Sequence, residues 1–130
     1  MVEEFNALVV DDEDDFRETL VKRLKIRSLH VWGAETGQKA LDLMDQLVFD
    51  VVVLDVKMPG LDGIETLREM KKKKPLTEVI LLTGHGSIES GIEGMKLGAF
   101  DYVMKPVNID ELLDKMRQAY ERKVIHEEER

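Results

Sequence analysis

Four short apolar runs punctuate the chain, and each ends on a polar or charged residue. Leu8-Val9-Val10 leads into Asp11-Asp12, Val51-Val52-Val53-Leu54 into Asp55, Val79-Ile80-Leu81-Leu82 into Thr83, and Tyr102-Val103-Met104 into Lys105. Such runs read as parallel strands buried on both faces, and in an open α/β sheet the ligand crevice lies beyond the carboxyl ends of those strands. Side by side, the four would bring three carboxylates, a hydroxyl and an ammonium to one crevice.

Between the runs the apolar period becomes helical. Phe16, Leu20, Val21 and Leu24 predict a first helix from near Asp15 to Arg27, with Asp14 or Asp15 as its cap. A short second strand, Leu29 to Ala34, is followed by a helix opened by Glu35-Thr36-Gly37, whose apolar face carries Ala40, Leu41, Met44 and Leu47. After the third strand, Lys57-Met58-Pro59-Gly60-Leu61-Asp62-Gly63 has strong turn chemistry. Ile64, Leu67 and Met70 mark the next helix, which Lys71 to Lys74 and Pro75 close; the lysines read as a solvated helix end that complements the macrodipole. Ser87 to Leu97 is helical in period through Ile88, Ile92, Met95 and Leu97, with Gly91 and Gly94 making it the helix expected to shift most easily. A last helix runs from Asn108 through Leu112, Leu113, Met116, Tyr120 and Val124. Five strand–helix pairs specify an α/β fold, a doubly wound parallel sheet with helices on both faces.

That last helix, from Asn108 to about Glu128, would span roughly 30 Å, against about 17–20 Å for a typical strand. Its final turns are expected to overhang. Residues 1–120 therefore read as the domain, and residues 121–130 as a charged helical extension, either a solvated end or a link to an output domain.

Composition narrows the function. The 130 residues are 43% hydrophobic, enough for one domain with a real core. A formal charge of -8 repels phosphates, so direct nucleic acid binding by this segment is not expected. There is no cysteine, and no apolar stretch approaches the length needed to span a bilayer. The expectation is a soluble, cytoplasmic domain without membrane contact.

Two like charges about 4 Å apart repel by roughly 4 kcal/mol at an effective dielectric near 20. Asp11, Asp12 and Asp55 therefore need a shared proton or a cation, and a hard divalent ion such as Mg²⁺ suits an all-oxygen site that also meets phosphate. Lys105 adds a fixed positive charge and Thr83 a hydroxyl donor. Together they would clamp a phosphoryl group, with Asp55 as nucleophile and acceptor.

This ordered set resembles the response regulator receiver domain, the phosphoacceptor module of two-component signalling, over approximately residues 5 to 120. The likeness is carried by Asp11-Asp12, Asp55 with Met58-Pro59-Gly60 and Asp62-Gly63 after it, Thr83, and Lys105-Pro106. It implies a flavodoxin-like five-stranded sheet in order 2-1-3-4-5 and a histidine kinase or phosphotransfer protein as donor. It also implies a Mg²⁺ site made by Asp12, Asp55 and the backbone carbonyl of Lys57, with Asp11 acting largely through water. Under the same likeness the Lys105-Pro106 bond is a candidate cis bond and Tyr102 matches the switch aromatic. Thr83 would move toward a new phosphate and Tyr102 would turn inward. That would alter the surface of the fourth helix, fifth strand and fifth helix, a face for homodimerisation. Lys57 and His85 hold positions that in the family tune the phosphate's lifetime; Lys57 is expected to crowd the attacking water, and His85 to be a partly exposed loop residue. Gly84 departs from the alanine or serine frequent there and removes a side chain beside the pocket. The loop Thr83-Gly84-His85-Gly86 is similar to receivers that precede ATPase-type transcriptional activators.

On this reading the chain is not an enzyme beyond its own phosphorylation and dephosphorylation. A Mg²⁺-dependent aspartyl phosphatase is the rival, but it would carry a second Asp two positions after the nucleophile, where this chain has Lys57. A flavin binder would need a phosphate cradle where Asp11 and Asp12 stand. A receiver-like docking module that is never phosphorylated is the third alternative.

Overall fold

The computed structural model describes residues 4–57, 63–84 and 88–129. Met58, Pro59, Gly60, Leu61, Asp62, His85, Gly86 and Ser87, all cited above, lie outside the described residues. Five strands, β1 (Asn6–Val10), β2 (His30–Ala34), β3 (Val51–Asp55), β4 (Glu78–Thr83) and β5 (Asp101–Met104), alternate with α1 (Asp14–Ile26), α2 (Gly37–Gln46), α3 (Gly63–Lys73), α4 (Ile88–Lys96) and α5 (Ile109–Glu128). All strand pairs are parallel and the order is β2-β1-β3-β4-β5, the flavodoxin-like doubly wound arrangement.

The unbroken apolar runs follow from a core on each side of the sheet. Successive strand residues point to opposite faces. Leu8, Val10, Val52, Leu54 and Leu81 pack with Met44 of α2 and Leu67 and Met70 of α3. Ala7, Val9, Val53, Ile80 and Leu82 pack with Leu24 of α1 and Leu112 and Met116 of α5.

Several helix ends differ from expectation. The α1 cap is Glu13, which makes no side-chain cap bond, and Asp14 and Asp15 lie in the first turn, where their charge favours the helix dipole. The preceding turn is instead closed by Asp11, whose Oδ1 accepts the Glu13 N–H at 2.9 Å. Leu47 caps α2 from outside its apolar face and is part-exposed. The apolar stripe of α4 is divided: Ile92 and Met95 are exposed, while a Cβ on Gly94 would strike the Leu81 side chain. The glycine therefore lets α4 approach β4. Beyond α4, Gly98 at φ +105° completes a Schellman turn, with Ala99 N–H bonded to Gly94 C=O and Gly98 N–H to Met95 C=O.

The far end of α5 is held to the amino ends of β3 and β4. Lys123 is buried, with Nζ 2.9 Å from Asp50 Oδ1 and 3.0 Å from Glu127 Oε2. Arg122 Nε lies 2.9 Å from Oε2 of the buried Glu78. Lys71 joins the same cluster. It donates to the carbonyls of Pro75 and Thr77 and stands 3.6 Å from Glu78 Oε1, so this lysine is turned inward rather than solvated. Burial pushes its ammonium below the usual lysine range, against the opposing pull of Glu78.

Candidate functional site

The carboxyl ends of β1, β3, β4 and β5 converge because the register is parallel and nearly level. Val10 stands across from Leu54, Asp55 from Leu82, and Thr83 from Met104. The residue after each apolar run thus reaches the same rim. Asp11, Asp12 and Asp55 each offer a carboxylate oxygen within 4.8 Å of the others, a group that could hold a metal ion. Asp11 is fully buried, Asp55 nearly so, and Asp12 is exposed.

Lys105 reaches into this group from the end of β5. Its Nζ is 3.1 Å from Asp11 Oδ2, 3.5 Å from Asp55 Oδ2 and 4.0 Å from Glu13 Oε1, and it lies 4.8 Å from the centre of the Phe16 ring. The Lys105-Pro106 bond is cis. The Lys57 N–H donates to Asp55 Oδ1 at 3.1 Å, which fixes the carboxylate from the other side.

Burial raises the Asp55 carboxyl above its ordinary value and the neighbouring Asp11 raises it further; the Lys57 N–H and the Lys105 ammonium offset only part. For Lys105, burial opposes the charge, yet the hydrogen bond to Asp11 and the charges of Asp55, Asp11 and Glu13 raise it above the usual lysine value. Three carboxylates face one ammonium, so negative charge remains in excess. An oxygen-only donor set, part buried and part open, fits a hard divalent cation that keeps some of its water.

Thr83 is buried at the end of β4, and its Oγ1 donates to Met104 Sδ at 3.0 Å. It closes one wall of a cavity of about 240 Å³ lined also by Gly91, Ile92, Met95, Tyr102 and Met104. Tyr102 is turned outward and 44% exposed, with Lys115 Nζ 5.6 Å from its ring centre. Lys115 also bonds the Tyr102 carbonyl at 2.9 Å and faces Asp101 at 3.3 Å. A Cβ on Gly84 would meet open space.

The motif gives no sign of what Met104 touches or of why position 63 must be glycine. Met104 reads as an ordinary strand residue until the β4–β5 register puts it opposite Thr83. Gly63 lies at the start of α3, where a Cβ would strike the backbone of Val56 and the carbonyl of Asp55. Its role is to let α3 begin directly against the strand end that carries Asp55.

The family model for the response regulator receiver domain matches residues 7–117. The regulatory protein AtoC of Escherichia coli (strain K12) is 41% identical over 105 residues, covering 81% of this chain and 23% of AtoC. The uncharacterized transcriptional regulatory protein YkoG of Bacillus subtilis (strain 168) is 38% identical over 118 residues, covering 91% of this chain and 52% of YkoG. A response regulator receiver domain protein from Clostridium thermocellum superposes with a TM-score of 0.89 at 37% identity, over 93% of this chain and 98% of that one. NtrX from Brucella abortus gives 0.90 at 31%, over 97% of this chain and 29% of that one. The chain thus spans about a quarter of the length of AtoC and of the NtrX-like relatives it matches. A match over most of the sequence, a close superposition and relatives of this similarity agree: the chain belongs to the response regulator receiver domain family, a signalling module of two-component systems.

Proposed function

We propose that Asp55 accepts a phosphoryl group from the phosphohistidine of a histidine kinase or phosphotransfer protein. The carrying observation is the Asp55 carboxylate itself, nearly buried at a strand end, 3.5 Å from Lys105 and grouped with Asp11 and Asp12. The carboxylate attacks phosphorus as the P–N bond breaks, and the electron pair leaves with the imidazole nitrogen. Catalysis is then mainly positioning and charge neutralisation. Lys105 faces one phosphoryl oxygen and the Thr83 hydroxyl another. Asp12, Asp55 and the Lys57 carbonyl, with Asp11 through water, would hold Mg²⁺, which would supply the remaining positive charge. Lys57 crowds the water that would hydrolyse the product and lengthens its lifetime.

The switch follows from the cavity beside Thr83. When Thr83 turns to the phosphate, Tyr102 leaves Lys115 and enters that space, which changes the surface of α4, β5 and α5. That surface is the site of homodimer formation or output contact. Residues 1–120 act as the receiver and 121–130 lead toward an output domain, a reading supported by the greater length of the relatives. The protein works in the cytoplasm, as a signalling receiver rather than an enzyme acting on other substrates. Among the described residues no helix is long and apolar enough to cross a membrane.

Incubation with acetyl phosphate and Mg²⁺, followed by mass spectrometry of the wild type and Asp55→Ala, tests the acceptor. The expected result is one phosphoryl adduct on the wild type and none on the variant. An unmodified wild type, or an adduct retained in Asp55→Ala, overturns it.

A further inference from the structure

Met104 stands directly across the β4–β5 pair from Thr83, and the two are joined by the Thr83 Oγ1–H to Met104 Sδ hydrogen bond of 3.0 Å. A threonine hydroxyl has one proton to donate. Thr83 is buried, so its proton must have a protein partner or a ligand, and the partner it has is the thioether. The backbone around the pair is fixed, because the Lys105 N–H bonds the Thr83 carbonyl at 2.7 Å. Freedom is therefore confined to the two side chains. A Cβ on Gly91 of α4 would stand 3.3 Å from Thr83 Cγ2, so the glycine leaves the threonine methyl facing that helix with no side chain between them.

We infer that Met104 is a positioning residue whose sulfur competes with the incoming phosphoryl oxygen for the Thr83 hydroxyl and so sets the resting state of the switch. This rests on the Asp55 acceptor reading and adds a residue to it. Thioether sulfur is a weak acceptor, strong enough to satisfy a buried hydroxyl and weak enough to surrender it to an anionic phosphoryl oxygen. The exchange breaks Thr83 O–H···S and makes Thr83 O–H···O–P, with no change of covalent bonds. Leucine at this position would fill nearly the same volume without an acceptor. It would leave the Thr83 proton without its resting partner and lower the cost of turning it toward the phosphate.

The test is a double-mutant cycle with Met104→Leu and Thr83→Val, the latter removing the hydroxyl at nearly constant shape. Phosphorylation by acetyl phosphate at saturating Mg²⁺ is followed by intact-mass time courses, and the Thr83 methyl signal is recorded by NMR without phosphate. Met104→Leu should accelerate phosphorylation about two- to tenfold in the Thr83 background, the range one neutral hydrogen bond commands, and should leave the rate unchanged in Thr83→Val. It should also shift the Thr83 methyl signal, reporting a new side-chain rotamer. A mere packing defect would alter both backgrounds equally, and that result overturns the proposal. So does an unaltered rate with an unmoved methyl signal. If no variant or wild type accepts phosphate, the Asp55 reading fails instead, and the methyl signal alone decides whether Met104 holds Thr83.

Discussion

Lys105 stands closer to Asp11 than to Asp55, with Nζ–Oδ2 distances of 3.1 and 3.5 Å. The fixed cation of the site is thus committed first to the carboxylate that is fully buried, and Asp55 is left incompletely compensated. Burial and the adjacent Asp11 consequently raise the Asp55 carboxyl above its ordinary 3.8. A raised carboxyl holds its proton more tightly folded than unfolded. Ionised Asp55 therefore costs stability above its folded pKa, and the cost is relieved as pH falls through that value. In EDTA at pH 7, Asp55→Asn should raise the melting temperature by about 2–5 °C. A carboxyl ¹³C titration should place the wild-type Asp55 midpoint above 3.8 and Asp11→Asn should lower it. A midpoint at or below the ordinary value would remove the basis for both.

Removing the cation should act in the opposite direction. Lys105→Met leaves the Asp11 and Asp55 carboxylates facing each other without their ammonium, and the Lys105 side chain is 24% exposed, so water softens the loss. The expected destabilisation in EDTA is about 1–3 kcal/mol, below the range for a fully buried pair. The Asp55 midpoint should rise, since the lysine lowers it in the wild type. Urea unfolding with and without Mg²⁺ checks the first, and a partial recovery with Mg²⁺ is expected because a bound ion restores positive charge and stabilises by mass action.

The sheet was legible in the sequence because both faces of its central strands are buried, so four of the five strands read as unbroken apolar runs with a polar stop, while edge strand β2, half-exposed, did not. The polar stops converged for the same reason: parallel strands in level register end on one rim. What was not legible depended on close approach and register rather than on pattern. The apolar period of α4 suggested a conventional buried face, but Gly94 brings the helix onto Leu81 and leaves Ile92 and Met95 exposed. A lysine run gave no sign that Lys71 turns in toward Glu78 while Lys73 pairs with Asp45. Met104 could be seen as Thr83's partner only once the β4–β5 register was fixed.

Gly94 and Gly63 separate helix propensity from packing. Replacing an interior helical glycine by alanine gains about 1 kcal/mol from propensity. At Gly94 the new methyl would strike the fully buried Leu81 side chain, so Gly94→Ala should still lower stability, by about 1 kcal/mol after an overpacking cost of ~1–3 kcal/mol. At Gly63 the obstacle is backbone of β3's end, which cannot swing aside, and Gly63→Ala should cost about 2 kcal/mol or more. Denaturant midpoints rank the two variants. If Gly94→Ala were stabilising, as propensity alone requires, or Gly63→Ala neutral, the close contacts would not govern these helices.

Lys123 determines how firmly the second half of α5 is held. Its ammonium is buried against Asp50 and Glu127, and Asp50 also accepts the Asn6 N–H at 2.8 Å, so one carboxylate ties α5 to the start of β1. Burial opposes the lysine charge, but the hydrogen bonds to Asp50 and Glu127 prevail and raise its pKa above the ordinary 10.5. A raised lysine contributes stability that is fully present below about 10.5 and is lost as pH rises through the folded value. Lys123→Met should cost about 1–3 kcal/mol at neutral pH by leaving Asp50 without its cation. The gap from wild type should persist to about pH 10.5 and narrow only above it. Amide exchange should quicken in α5 near and beyond Lys123 while Leu112, Leu113 and Met116 keep their protection, because those three are held by the apolar core. Loss of protection along the whole helix would instead mean that Lys123 supports α5 as a single unit.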